Sequence, residues 1–403
     1  MSDSCADRRG REARATRVAS EPTATAESTQ PRLLTLRFLT VVTSGLFYFL
    51  AVSMMVPVLP HYVEDSLGNG SVAVGATVLA FSFGAITLRL YAGRFGERFG
   101  RRVLIIGGAL VVAGSTLAYG VVHALWWIVL MRIITGFGEA GFFVGAATMI
   151  TDLAPVERRG EAISYWSVAV YGGLAFGPAL GDLLRGNSRY ELTFVVSAVL
   201  ALVAACVGYF TVDPPREPLE APQQLIARRA VLPGTVLFLG LIPLAGFGAF
   251  MPLYASDQLG IHSGPIFVLY GILILVVRIV GARVPDRLGG RNAGTIALVL
   301  AAAGIATVAA WPTVAGLVVG TIILALGMSL MYPALFVLAL EGVSDAERSS
   351  VVATISSFFD ASQGIGAFIC GAVVAVSGTN SGAFTTGAVA ALCGLLLLRI
   401  RTS

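Results

Sequence analysis

Long apolar runs separated by short polar segments constrain this chain more than any other feature. Twelve such runs follow one another, most of them about 20 residues long, which is the length a helix needs to cross a bilayer. Hydrophobic residues occupy 56% of the 403 positions and charged residues only 12%. We therefore predict an all-α integral membrane protein with twelve transmembrane helices, of which the ninth, residues 295–310, is marginal.

The residue types that are missing exclude several kinds of chemistry. The apolar runs leave no room for a sizeable water-soluble catalytic domain, so we expect no enzyme. All 27 basic residues are Arg, which excludes a P-loop lysine and a Schiff base. The three histidines stand far apart, and we therefore expect neither a metal site nor a cofactor.

The positive charge follows the expected topology of the chain. Alternate connections hold most of the Arg residues, whereas the short loops on the opposite side hold only Arg185 and Arg189. By the positive-inside rule both termini are cytoplasmic, which requires an even number of spans. The net charge of +4 is therefore topological, and nucleic acid is not an expected partner. The rich use of Arg, Ala and Gly indicates a bacterial protein, and hence the inner membrane.

The chain contains an internal repeat. The segment that begins at Arg89 returns 189 positions later at Arg278, with basic, acidic and glycine residues in the same places. Because both copies fall on the cytoplasmic side, the two halves are expected to be parallel six-helix repeats with a cavity between them at mid-membrane. We predict a disordered tail over 1–35, an N-terminal lobe over 36–212, a linker over 213–231 and a C-terminal lobe over 232–400.

Three segments carry short motifs at defined places along the predicted helices. They are Gly93–Arg102 after the second run, Arg132–Gly138 in the fourth and Gly173–Asp182 in the fifth. They resemble the loop signature, the second motif and the antiporter motif of the major facilitator superfamily, and the chain resembles its twelve-helix drug:proton antiporters. Four positions depart from that pattern: Glu97 stands where Asp is usual, Thr135 where Gln is common and Glu139 where a small residue is common, and Asp182 replaces the last Gly of the antiporter motif.

The resemblance implies that the loop motif forms a cytoplasmic gate. The residues concerned are Gly93, Glu97, Arg98, Gly100, Arg101 and Arg102, with Asp286 and Arg287 in the second repeat. Gly93 would let span eleven approach closely, and Glu97 would face the positive end of that helix. The arginines could pair with Asp152 or Glu157. Alternatively, they only anchor the topology.

The fifth run combines regularly spaced glycines with a proline. These residues are Gly173, Gly177, Pro178 and Gly181. A smooth glycine face and a proline that removes one backbone hydrogen bond favour a bent helix that can act as a hinge. Ordinary packing of small residues is the alternative interpretation.

Three charged residues lie clearly inside the predicted spans, where each costs at least ~2.5 kcal/mol. They are Arg132, Glu139 and Asp360. Arg132 and Glu139 are seven residues apart and share a helix face. We expect Glu139 to carry the coupled proton, Arg132 to change its proton affinity, and Asp360 to be a second carrier or a contact for a cationic substrate. Alternatively, the three form a structural salt-bridge group.

The aromatic residues of the spans favour a substrate with an apolar body. Tyr48 and Tyr332 are the best candidates for cavity-lining residues, because a phenol at depth needs a hydrogen-bond partner. We predict a monomeric transporter in the lipid bilayer that exports a small amphiphilic drug or metabolite in exchange for protons. The alternatives are proton-coupled uptake of a small organic solute and a non-transporting membrane sensor built on the same scaffold.

Overall fold

The computed structural model describes residues 34–155, 158–186, 189–213, 227–280, 287–341, 343 and 345–401. Every regular element in these residues is helical. Most of the predicted tail and linker lie outside these ranges, and so do Glu157 and Asp286. The side-chain surroundings of Gly93 and Glu97 are also outside the described structure.

Twelve long helices account for the described chain. The first six are α1 Leu36–His61, α2 Ser71–Phe99, α3 Arg101–Leu117, α4 Leu125–Leu153, α5 Arg159–Arg185 and α6 Tyr190–Tyr209. The second six are α7 Arg228–Asp257, α8 Gly264–Val280, α9 Gly290–Ala310, α10 Val314–Leu340, α11 Asp345–Ser377 and α12 Ser381–Arg401. A π-helical turn, Tyr62–Ser66, follows α1, and a 3-10 turn, Ala118–Gly120, follows α3.

Eleven of these helices are long and apolar enough to cross a membrane, and α8 is a shorter apolar helix of 17 residues over its described length. The prediction that the ninth span is marginal is wrong. Helix α9 has 21 residues because it begins at Gly290, in a polar turn that precedes the apolar run.

The two halves of the chain pack in the same way. Helix α1 lies against α5 and α6, while α4 lies against α2, and α3 contacts both α4 and α6. The second half repeats these pairs, with α7 against α11 and α12, α10 against α8, and α9 against α10 and α12. This repetition confirms the predicted pair of six-helix repeats, which we call the N-lobe (α1–α6) and the C-lobe (α7–α12). The predicted lobe limits in sequence stay predictions.

The repeat extends to the turn between the second and third helix of each lobe. Gly100 separates α2 from α3 with a φ of 100°, and Gly289 precedes α9 with a φ of 75°. Both values lie in a region that residues with a Cβ rarely adopt, so glycine is needed at this turn in both lobes. The conformation explains why Gly100 belongs to the loop motif.

Three main helix pairs join the lobes, α2 with α11, α5 with α8, and α1 with α7, and α2 also touches α7. The first two pairs are equivalent under the repeat. Because consecutive helices alternate in direction, both ends of the described chain lie at one end of the bundle, which we call the near end. The opposite end, where α1 ends and α2 begins, is the far end.

The glycines of the hinge motif pack α5 closely against α1 inside the N-lobe. A Cβ added at Gly173, Gly177 or Gly181 would overlap Phe49, Ser53 or Met54, respectively. The hydroxyl of Ser53 donates to the carbonyl of Gly173 at 2.7 Å, across the same contact. Pro178 lies inside α5, which continues through it. The glycines therefore serve helix packing, and hinge motion stays a prediction.

Candidate functional site

A triad of charged side chains lies between the lobes near mid-bundle. Arg89 of α2 donates from Nη2 to both carboxylate oxygens of Glu139 in α4, at 3.2 and 3.0 Å. Its Nε lies 3.2 Å from Oδ2 of Asp360 in α11, at ion-pair distance but without hydrogen-bond geometry. Glu139 and Asp360 stand at the middle of long helices. One guanidinium thus contacts a carboxylate from each lobe.

The charges of the triad do not balance. The three side chains are largely buried, with 18%, 14% and 10% exposure for Arg89, Glu139 and Asp360. With both carboxylates ionised the group carries one net negative charge, and one bound proton makes it neutral. An unbalanced charge in a low-dielectric interior is costly. The arrangement is therefore suited to bind and release a proton.

Arg132 does not join the two acids. Its guanidinium lies over the ring of Phe81, 4.3 Å from the centroid, and its Nε donates to the carbonyl of Thr77 at 3.2 Å. Arg132 is two helical turns closer to the far end than Glu139, and its side chain finds these nearer partners on α2. Arg89 occupies the place that was expected for Arg132. In the sequence, Arg89 is recognisable as the first residue of the repeat, but no sequence signal identifies it as a residue of the site.

The two predicted tyrosines differ in their surroundings. Tyr48 is fully buried inside the N-lobe, where its ring stacks on Phe142 at 3.7 Å between centroids, so it does not line an exposed surface. Tyr332 is partly buried and packs against Phe336 and Phe359, with centroid distances of 5.6 and 5.9 Å. Tyr332 is therefore the one of the pair that a ligand between the lobes could reach.

Aromatic rings also surround the triad on the N-lobe side. The guanidinium carbon of Arg89 lies 5.1 Å from the centroid of Phe143. Phe143 makes edge contacts with Phe49 and Trp166. This packing fixes Arg89 against α4 and gives its environment a low polarity, which strengthens its interaction with the carboxylates.

The described residues of the loop motif make contacts at the near end. Arg101 forms an ion pair with Asp152, one of the predicted partners. Arg102 donates its backbone N–H to Asp213 at 3.0 Å and lies over the ring of Tyr209, and Arg98 lies over Phe99. Arg287 is exposed. The Arg101 pair joins α3 to α4 within the N-lobe, so the role of these residues in a gate between lobes stays a prediction.

Polar contacts join the lobes at the far end. The carboxylate of Asp182 in α5 accepts from the backbone N–H of Gly264 at the start of α8 (2.8 Å) and contacts Arg185 at 3.2 Å. Its position at a helix N-terminus favours the negative charge. His61 Nε2 lies 3.0 Å from Ser256 Oγ, which links α1 to α7. The departure of Asp182 from the glycine motif therefore has a structural reason that the sequence alone did not reveal.

No group of side chains suited to a metal ion is found in the described ranges. Two helical lobes related by an internal repeat, with a charged site between them, are typical of membrane transporters built from repeated helical lobes.

Comparison with known proteins identifies the family. The profile of the Major Facilitator Superfamily matches residues 41–314 and 264–403, and the chain belongs to that superfamily. An uncharacterized MFS-type transporter of Salmonella typhimurium is 29% identical over 363 residues, which cover 87% of this chain and 93% of that protein. Another, from Burkholderia mallei, is 26% identical over 381 residues, covering 90% and 91%.

Solved structures share the fold. A nucleoside transporter, NupG, superposes with a TM-score of 0.75 at 15% identity, covering 91% of this chain and 98% of its own. A human organic anion transporter gives a TM-score of 0.66 at 18% identity, covering 90% and 99%. These likenesses confirm the twelve-helix fold, and at this identity they carry no information on the substrate.

Proposed function

We propose that the protein is a proton-coupled secondary transporter that exports a small amphiphilic molecule in exchange for protons. The observation that carries the proposal is that one arginine, Arg89, is shared by two carboxylates from different lobes. A site of this kind can link its protonation to the relative position of the lobes. The resemblance of α5 to an antiporter motif favours exchange as the direction of coupling.

The proton acts through the contact between Arg89 and Asp360. With both carboxylates ionised, this contact holds α2 of the N-lobe against α11 of the C-lobe. Protonation of Asp360 removes its charge, while Glu139 keeps Arg89 neutralised within the N-lobe. The lobes can then separate without leaving a bare charge in the membrane interior. Proton binding on one side and release on the other accompany the change of state.

The remaining site residues have roles around this step. The Asp182 and His61 contacts close the far end, and the loop motif closes the near end in the opposite state, while the Arg101–Asp152 pair holds α3 to α4 within the N-lobe. Tyr332 and its neighbouring rings contact the apolar body of the substrate. The bacterial relatives and the arginines at the near end support an inner membrane location with cytoplasmic termini. One chain contains both lobes, and we expect a monomer.

A reconstituted system tests the proposal. Purified protein in liposomes that contain a pH-sensitive dye is exposed to a compound panel, and proton movement is recorded on adding each compound. The variants Glu139→Gln and Asp360→Asn should abolish compound-dependent proton flux while the protein stays monodisperse. Glu191→Gln, at an exposed carboxylate of α6, is the matched control.

The outcomes discriminate between the alternatives. Proton flux that persists in both triad variants would refute a coupling role for the triad. Loss of folded protein in both variants would favour a structural salt-bridge group. Proton movement in the same direction as the compound would establish uptake by symport, the second candidate, which is favoured by Arg278, a cation without a counter-charge among the described residues.

A further inference from the structure

The repeat places a second arginine in the position equivalent to Arg89. Arg278 of α8 follows Arg89 by 189 positions, and Arg278 contacts Tyr171 of α5 as Arg89 contacts Asp360 of α11. Tyr171 is itself 189 positions before Asp360. Both contacts therefore cross between the lobes at equivalent places, but only the first joins a cation to a carboxylate.

The second arginine lacks a counter-charge in the residues described. Its guanidinium lies 4.2 Å from the centroid of Tyr171, a contact that attracts a cation without neutralising it. The position equivalent to Glu139 is held by Met328, which offers no charge. The buried Nε of Arg278 has no hydrogen-bond partner in this part of the chain. A cation at this depth, without a carboxylate, needs a negative partner.

The rings near Arg278 carry hydroxyls that the equivalent rings of the N-lobe lack. Tyr270 is equivalent to Phe81, and Tyr332 is equivalent to Phe143. Both tyrosines lie within electrostatic range of Arg278, and the buried hydroxyl of Tyr270 has no partner among the described residues. A phenol can donate a hydrogen bond to an anion. Helices α8 and α10 thus place two phenols near this guanidinium, and the hydroxyl of Tyr332 also has a hydrogen bond with Ser356.

We propose that Arg278, with Tyr270 and Tyr332, binds the anionic group of the transported molecule, which is a carboxylate, sulfonate or phosphonate on an aromatic or apolar body. The inference rests on the proposed transport function and names its substrate class. A guanidinium presents its donors in a planar fork that matches such groups. The aromatic ring of Phe336, stacked on Tyr332, provides apolar surface beside the charge. A cationic substrate at Asp360 is disfavoured by the same unpaired arginine.

Probes that share one ring system and differ in charge test the site. The affinities of 2-naphthalenesulfonate, 2-naphthoate, neutral 2-naphthamide and cationic 2-naphthylmethylammonium are measured by equilibrium dialysis with purified protein in detergent and chloride-free buffer. The wild type should bind the two anions at least tenfold more tightly than the amide. Arg278→Gln should remove this preference, and Arg278→Lys should keep part of it.

Two further variants test whether the anion preference depends on the charge of Arg278. Arg228→Gln removes one exposed positive charge from the near end of α7 and should leave the preference unchanged. Tyr171→Asp restores the carboxylate that the repeat has at Asp360 and should lower anion affinity at least tenfold by pairing with Arg278. Equal affinity of anion and amide in the wild type, or a preference that survives Arg278→Gln in folded protein, overturns the proposal.

The binding assay does not depend on proton transport. It uses no gradient, because equilibrium dialysis reports binding of the anions and not their movement. If the anions bind through Arg278 and no proton flux accompanies their transport, the proposed coupling fails and the anion site stands. If proton flux is coupled to neutral or cationic compounds only, the anion site fails and the proposed function stands.

Discussion

Replacing Asp360 with Asn should change the balance between the two states of the transporter. The substitution keeps the size of the side chain and removes the only charge that the C-lobe contributes to the triad. Arg89 keeps its two hydrogen bonds to Glu139, so no uncompensated charge remains inside the protein. The variant therefore isolates the contact between lobes, whereas replacing Arg89 would leave two carboxylates without a cation.

The size of the effect follows from the geometry. Two unit charges at the observed 3.2 Å attract by about 5 kcal/mol at an effective dielectric constant of 20. Asp360 is also repelled by Glu139 on the same guanidinium, by about 3 kcal/mol if their charges are roughly 5 to 6 Å apart. The difference, about 2 kcal/mol, is the stabilisation that Asp360 gives to the contact between lobes. Its loss corresponds to about a thirtyfold change in the equilibrium.

Two native cysteines provide the assay. Cys206 on α6 and Cys393 on α12 are exposed and belong to different lobes, in the half of each helix closer to the near end. With Cys5 and Cys370 replaced by Ala, spin labels at these two sites report the distance between lobes. Asp360→Asn should shift the distribution toward shorter distances, because opening of the far end brings the near ends together. Glu191→Gln should leave it unchanged.

The pH dependence of the distance between the spin labels tests whether the Asp360 contact controls the lobes. In the wild type, acidification should shift the distances in the same direction as Asp360→Asn, since a protonated Asp360 has lost the same charge. In the variant this shift should largely disappear. Distances that are unaltered in Asp360→Asn, together with a pH response as large as that of the wild type, would show that the contact does not control the lobes.

Three further substitutions test the surroundings of the site. Gly177→Leu should prevent recovery of folded protein, because even a Cβ at this position overlaps Ser53. The control Gly172→Ala should be recovered normally by size-exclusion chromatography, since its Cβ meets only Leu46 at 3.4 Å. Asp182→Asn should speed amide hydrogen exchange at the start of α8 about tenfold, since the charged acceptor of Gly264 is lost; unchanged exchange would contradict its role in closing the far end. Arg89→Met should destabilise the protein by about 3 to 5 kcal/mol, measured by thermal unfolding in detergent, because it leaves two buried carboxylates unpaired; stability equal to that of Glu139→Gln would argue against this.

The helices were predictable because the length of an apolar run limits where a span can lie. The ends were less predictable, since several helices continue into polar sequence. Helix α2 runs to Phe99, and this extension explains why Arg89 was missed. Within the predicted run of residues 72–92, Arg89 lies near the end and is therefore not one of the three charged residues placed clearly inside the spans. In the structure it lies ten residues before the end of its helix and reaches the middle of the bundle.

The partners of the charged residues could not be predicted from positions along one helix. Arg132 and Glu139 do share a face of α4, but the side chain of Arg132 is held by Thr77 and Phe81 of a neighbouring helix. Similarly, Asp182 meets Gly264, which is 82 positions away and in the other lobe. Such contacts depend on how the lobes pack, and the spacing within a motif contains no information about it.

The two arginines of the repeat determine how proton and substrate influence each other. With both acids ionised, the triad carries one negative charge, and the site of Arg278 carries one positive charge. An anion bound at Arg278 would leave the region negative, and a proton on the triad would then restore neutrality. Two unit charges about 10 Å apart at an effective dielectric constant of 20 interact by about 1.7 kcal/mol, or more than tenfold in affinity, which sets the order of magnitude of such a coupling. Anion binding should therefore tighten as the pH falls from 8 to 6 and should lose this dependence in Asp360→Asn. Such positive linkage favours joint movement of proton and anion, the symport alternative, whereas binding that weakens on acidification would favour exchange.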